Sequence, residues 1–410
     1  MTHLDRRSFL RTAGALPLVW STRGLGAWVP RGDDRVLLVL ELMGGNDGLN
    51  TVVPVDDARY ATLRPKLQAV RSGSHRLSDG TALHPALVRL HAHIEAGRGA
   101  VVHGVGYEHP DRSHFRSREI WHVADPRHVR VQTNTTGWLG RAADQLAATT
   151  AGVPAAAIGG LEVPLVLKGL RTSPPSLARV EDFQWLSAHE PGPVAAASRT
   201  RAVLAAEEGG AGASLHDFVA GTAHRAVGLA DDLKKALARY RPLAEYPDTE
   251  LGRDLQLAAR LVVSGFGTRL LHTGLPGFDT HARQLPTHAG LLAQLDAALA
   301  AMLADLEGHG QADQVVVLVH SEFGRRAAEN ASQGTDHGAA APAFLFLGGL
   351  TGGVHGPVPD LQRLDDGDVV ATMDFRRIYA DVLSWLAIDP IAVLGAPFEA
   401  TGLWAGDGRR

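Results

Sequence analysis

A chain of 410 residues, 45% hydrophobic and 20% charged, suits one large domain or two ordinary ones, and its apolar content excludes wholesale disorder. It has no cysteine, which excludes a disulfide framework, a thiolate nucleophile and Cys-ligated zinc; any metal must rest on His, Asp, Glu or Asn. The formal charge of −4 argues against a general nucleic-acid binder, and no apolar run reaches the roughly 18 residues of a stable membrane span.

The chain opens Asp5-Arg6-Arg7-Ser8-Phe9-Leu10-Arg11, followed by a short apolar stretch from Ala13 to Trp20 and then Arg23. A paired Arg, a Phe-Leu and a weak apolar segment resemble a twin-arginine export signal, so residues 1–30 are read as a leader and the protein is expected in the periplasm or outside the cell. Val36 to Leu40 is a continuous β-favouring run, as expected of a strand buried on both faces, and Gly44-Gly45-Asn46-Asp47-Gly48 turns the chain after it. A helix is predicted from Pro85 to Ile94, a second buried strand from Ala100 to Val105, and a helix from Asp111 to His122 with Asp111 or Ser113 as its N-cap. Residues 137–148 read as helical. From about 150 to 212 the chain is rich in Pro, Gly and Ala and predicts short strands and loops; 150–250 as a whole is a candidate helical insertion or cap.

Leu215 to Arg239 and Glu250 to Val263 read as two longer helices, and Arg269 to His272 as a strand. Thr287 to Leu306 has Leu291, Leu292, Leu295, Leu299, Met302, Leu303 and Leu306 along one side, the pattern of an amphipathic helix. Gln314 to His320 is the clearest strand, Ala343 to Leu347 another, and Phe375 to Leu386 a final helix. Strands alternating with helices predict an α/β fold, a three-layer sandwich around a mostly parallel sheet, over residues 31–410.

Five loops that follow strands carry polar groups, and in open α/β sheets ligands bind where such loops converge. Asp47 in the first is a metal carboxylate or a structural Asn-Asp-Gly turn. Ser113 in the second opens a helix, where the dipole favours an anion or an oxyanion nucleophile, or it is only an N-cap. In the third, Asp279 and His281 share a turn and reach one cation; His288 is a surface residue or a further ligand. The fourth offers Glu322 as a metal carboxylate and Arg325 as an anion clamp, or the two as a structural ion pair. The fifth places Asp336 and His337 between glycines.

Arg6-Arg7-Ser8-Phe9-Leu10, Gly44 to Asn50, Ser113-His114-Phe115, Gly277 to His281, Ser321 to Arg325 and Gly334 to Gly338 together closely resemble domain-of-unknown-function family 1501. The resemblance implies an alkaline phosphatase-like fold, export by the twin-arginine route, and kinship with the phosphatase and sulfatase superfamily. It also implies an exported partner protein, because genes of this family often neighbour those of another exported family. By the superfamily's pattern Ser113 would be the nucleophile, and Asp47, Asp279, His281, Glu322 and His337 would hold one or two divalent ions, whether zinc, calcium or magnesium. Arg325 or Arg112 would neutralise the non-bridging oxygens of a small anionic ester. Two departures stand out. Asp279 and His281 are closer in sequence than the usual pair, and Ser321-Glu322 replaces Asp-His. The function expected is a metal-dependent hydrolase of phosphate or sulfate esters; the alternative is a catalytically silent exported binding or assembly module. A serine-hydrolase triad is disfavoured, since Ser113 does not sit in a Gly-x-Ser-x-Gly elbow.

Overall fold

The computed structural model describes residues 34–404 apart from 128–129, 148–152, 161, 173, 179–236, 238 and 266. The leader assigned to residues 1–30, the predicted helix from Leu215 except its last residues, and most of the 150–250 segment lie outside the described residues.

A nine-stranded sheet organises the molecule. Its strands are β1 (Val36–Met43), β2 (Gly99–Gly106), β3 (Ala155–Ile158), β4 (Ser176–Leu177), β5 (Leu270–Pro276), β6 (Val315–His320), β7 (Ala341–Leu347), β8 (Gly353–His355) and β9 (Met373–Asp374). The order is β8-β2-β7-β6-β1-β5-β3-β4, with β9 also pairing with β2. β1 runs parallel to β5 and β6, so the sequence's two clearest apolar strands sit side by side at the centre. Only β7 is reversed against its neighbours β6 and β2. The reason is local. Residues 321–340 contain no helix to carry the chain back across the sheet, so it re-enters from the end at which β6 leaves.

Helices cover both faces. Leu38, Leu40 and Leu42 of β1 pack in one layer with α1 (Val88–Glu95), α4 (Glu250–Val263) and α5 (Gln284–Gly308). Leu37 and Val39 point the other way, into a layer with α2 (His114–Val123), α3 (Trp138–Leu146) and α6 (Phe375–Trp385). The result is the three-layer α/β sandwich expected, with a mostly parallel sheet.

The element ends shift for identifiable reasons. α1 starts at Val88, three residues after Pro85, because the Asp296 carboxylate of α5 accepts the N–H groups of Arg89 and Leu90 and so caps it from another helix. α5 starts at Gln284, earlier than Thr287, directly after Arg283 in the left-handed region at φ 44°. Among the described residues α5 is the one helix long and apolar enough to cross a membrane, yet 56% of that apolar window is buried and it forms the core of its layer.

Candidate metal centre

At the carboxyl ends of β1, β5 and β6 the turn at Gly44 to Asp47, the loop Gly277–Arg283, the loop 321–340 and the N-terminus of α2 meet. The cluster is built on Asp279. Its Oδ1 lies 3.4 Å from His114 Nε2, 3.0 Å from His281 Nε2 and 3.1 Å from His337 Nε2. His281 Nε2 and His337 Nε2 are 2.9 Å apart. The side chains of Asp279 and His281 are about half exposed, while those of His114 and His337 are mostly covered.

Each imidazole is held from its other nitrogen. His114 Nδ1 meets Glu322 Oε1 at 2.9 Å, His281 Nδ1 meets Asp336 Oδ1 at 3.3 Å, and His337 Nδ1 donates to the Arg112 carbonyl at 2.8 Å. All three partners accept only, so each Nδ1 carries the proton and each Nε2 turns a lone pair toward Asp279. Lone pairs facing one another at 2.9 Å repel unless a cation or an extra proton lies between them. His114 Nε2 is buried without a hydrogen-bond partner. His114 Nε2, His337 Nε2 and Asp279 Oδ1, all within 4.8 Å of one another, are therefore a donor set for a borderline divalent ion of the zinc class, with His281 beside it, and histidine-orienting acceptors are a usual accompaniment of such sites.

Electrostatics agree with a carboxylate ready to bind. Burial would raise the Asp279 pKa, but the Arg325 guanidinium, through its hydrogen bond and its charge, outweighs it and brings it to about 2. The Glu322 hydrogen bond raises His114, whereas partial burial lowers His337.

The other expected site residues occupy supporting positions. Glu322 is 1% exposed; Oε1 also accepts the Gly44 N–H at 2.9 Å and Oε2 the Ser321 hydroxyl at 3.0 Å, so it orients His114 from behind. Asp47 is fully buried, in an ion pair of 2.6 Å with Arg64 and bonded to the Gln284 amide. Gln284 Oε1 in turn accepts Thr280 Oγ1 at 3.1 Å and Thr335 Oγ1 at 2.7 Å, so Asp47 supports both histidine loops without reaching the cluster. Arg325 was expected to clamp an anion. Its buried guanidinium instead donates to the carbonyls of Gly44, Gly45, Phe278 and Thr335 and to Asp279 Oδ1, so it ties the loops together and holds Asp279. Arg112 is bound to Asp368 at 2.7 Å and Asp366 at 3.3 Å, with about a third of its side chain exposed. Ser113 is exposed at the N-cap of α2, where its hydroxyl makes no cap bond, one residue from His114. His288, expected at the surface or as a ligand, is buried, with Nε2 2.9 Å from Asn46 Oδ1.

Residues 34–402 match the model of a family described as Protein of unknown function (DUF1501). The chain belongs to this family. No curated protein matches it by sequence. Among solved structures, it is similar to a protein in the alkaline phosphatase superfamily from Vibrio parahaemolyticus, at 12% identity and a TM-score of 0.41, over 90% of this chain and 72% of that one. It is similar also to a sulfatase from Pseudoalteromonas sp., at 12% identity and a TM-score of 0.39, over 93% and 77% of the two chains. A third is the C-terminal periplasmic domain of EcEptC from Escherichia coli in complex with Zn, at 8% identity and a TM-score of 0.39, over 77% and 73%.

His114 has a role that the sequence does not assign it; it adjoins Ser113, and that contiguity is the available signal. Asp336, offered by the sequence as an oxygen ligand, instead accepts from His281 Nδ1.

Proposed function

We propose that the protein is an exported, metal-dependent hydrolase of phosphate or sulfate esters, with Ser113 as nucleophile beside a cation held by His114, Asp279 and His337, and His281 next to them. One observation carries the reading: three imidazoles, each with its far nitrogen engaged by an acceptor, turn Nε2 lone pairs on one carboxylate. A divalent ion there would supply Lewis acidity toward an ester oxygen and lower the pKa of a nearby hydroxyl. The chain supplies the rest. Ser113 stands at the positive end of α2 with no cap bond from its hydroxyl; on this reading it attacks phosphorus or sulfur and releases the alcohol, and water then cleaves the seryl ester. Arg112, held by Asp366 and Asp368 and partly exposed, is the cation nearest in sequence for the anionic oxygens. The half-open cluster leaves room for a substrate oxygen, as catalytic zinc sites do.

On this reading residues 1–30 direct folded, metal-loaded protein through the twin-arginine route, residues 31–410 form the mature enzyme with 150–250 as an insertion, and an exported protein is its partner. The test uses purified protein without the leader, its metal content, and turnover of phosphate and sulfate monoesters and diesters. Ser113→Ala is expected to keep the metal and lose several orders of magnitude in turnover. Full turnover in that variant removes Ser113 from the mechanism. Bound metal with no turnover of any ester would favour the binding-module reading instead.

A further inference from the structure

A second group of ligating side chains lies away from the first, inside the layer between the sheet and α2. Along β1 the residues pointing into this layer are Leu37, Val39 and then Glu41, a carboxylate 1% exposed where strand alternation calls for an apolar side chain. His272 on β5 is in register with Val39, and His122 is on the last turn of α2. All three are buried. We propose that Glu41, His122 and His272 form a second zinc-class site, one that fastens α2 to the centre of the sheet; it does not rest on the ester-hydrolase reading.

The geometry suits a cation better than a hydrogen-bond set. His122 Nε2 lies 3.1 Å and His272 Nε2 3.4 Å from the same oxygen, Glu41 Oε2. The ligand atoms of the three residues fall within 4.8 Å of one another. A tetrahedral ion with bonds of about 2.0–2.1 Å places its donors about 3.3 Å apart. For an N–H···O bond, by contrast, 3.4 Å exceeds the usual range.

Arg118 completes the arrangement. Its Nε donates at 2.9 Å to Glu41 Oε1, the other oxygen, which leaves Oε2 as the ligand atom. About a third of the Arg118 side chain is exposed, so it neutralises Glu41 before the ion enters and has solvent to withdraw into afterwards. With three protein ligands, a fourth position of such an ion would be left for water. Three protein ligands of His and Glu type form a known zinc set, and hard cations that prefer all-oxygen shells are excluded by the two imidazoles.

Zinc itself is the probe. Crystals of the full mature chain grown with zinc, with diffraction recorded on both sides of the zinc edge, should show an anomalous peak between Glu41, His122 and His272. It should be separate from any peak at Asp279. Native mass spectrometry should give two zinc ions per chain. Glu41→Gln and His272→Gln should each lose one, and His337→Gln should lose the other. If the group is only a buried ion pair, no anomalous peak forms there and Glu41→Gln leaves the zinc count unchanged; either result overturns the proposal. The peak is read on the wild-type chain, so a variant that fails to fold does not shield the idea. A missing peak at Asp279 with one at Glu41 would count against the hydrolase centre alone.

Discussion

Glu322 shows how a side chain can govern a metal without touching it. It accepts from His114 Nδ1, from Gly44 N–H and from Ser321, so its position sets the direction of His114 Nε2. Glu322→Ala is expected to weaken zinc binding at the Asp279 cluster about 10–100-fold, and Glu322→Gln, which keeps an acceptor, by less. Competition with a chelator measures this; equal affinity in Glu322→Ala would mean that His114 is not a ligand. Asp47 acts one step further back. Breaking its fully buried pair with Arg64 by Asp47→Asn should cost about 3–5 kcal/mol, because the guanidinium is left unpaired. Burial alone would raise the Asp47 pKa, but Arg64 wins and holds it below the usual carboxylate range. A folded pKa below the unfolded one means that this stabilisation is present above about pH 4 and fades as pH falls through the folded value. Urea unfolding at pH 7 should therefore show Asp47→Asn less stable than wild type by that amount, and an unchanged midpoint would mean that the pair does not hold the loops.

Elements were more legible in the sequence than the contacts between them. Glu250–Val263 and Phe375 to about 385 follow directly from their periodicity, and β1 and β6 from their unbroken Val and Leu runs. The roles at the centre were less so, because they depend on which loop lies behind which. Glu322 and Arg325 are both spelled as surface chemistry, yet both are turned inward by the return of 321–340 along β6 and β7. His288 and Glu41 were hidden for a related reason: a polar residue on an otherwise apolar face is legible only when its buried partner is known. Glycine carries part of this convergence. Gly44 has φ +117°, and a Cβ there would stand 2.5 Å from the Asp279 backbone nitrogen. Gly44→Ala should therefore displace the Asp279 loop, lowering stability by about 1–3 kcal/mol and zinc affinity with it. Thermal melts and zinc titration check both parts, and a variant with unchanged affinity would show that the close approach is not needed.

At the scale of the whole molecule, the distribution of histidines sets the pH range in which the fold persists. Burial drives His84 to about 4, His288 to about 3 and His320 to about 4. Each is kept neutral by its packing: His84 Nδ1 accepts the Ala86 N–H at 3.0 Å, His288 lies against Asn46, and His320 stacks on Trp121 at 4.6 Å. In the unfolded chain the same groups protonate near pH 6.5. The folded values lie below the unfolded one, so the unfolded state gains protons first. The stabilisation is complete above about pH 6.5 and is lost as pH falls toward the folded values. With three such groups, stability should fall by about 4 kcal/mol per pH unit near pH 5. Against a total of about 5–15 kcal/mol for an ordinary domain, that slope is enough to unfold the protein between roughly pH 6 and pH 4. This is a higher window than that of Asp47, so the imidazoles and not the buried carboxylate decide the onset of acid unfolding. Chelated protein, titrated with urea between pH 7 and pH 4.5, should show a steep loss of midpoint beginning below about pH 6.5. A flat midpoint down to pH 5 would mean that these histidines are already charged in the fold, and the neutral, tightly packed core inferred around them would have to be abandoned.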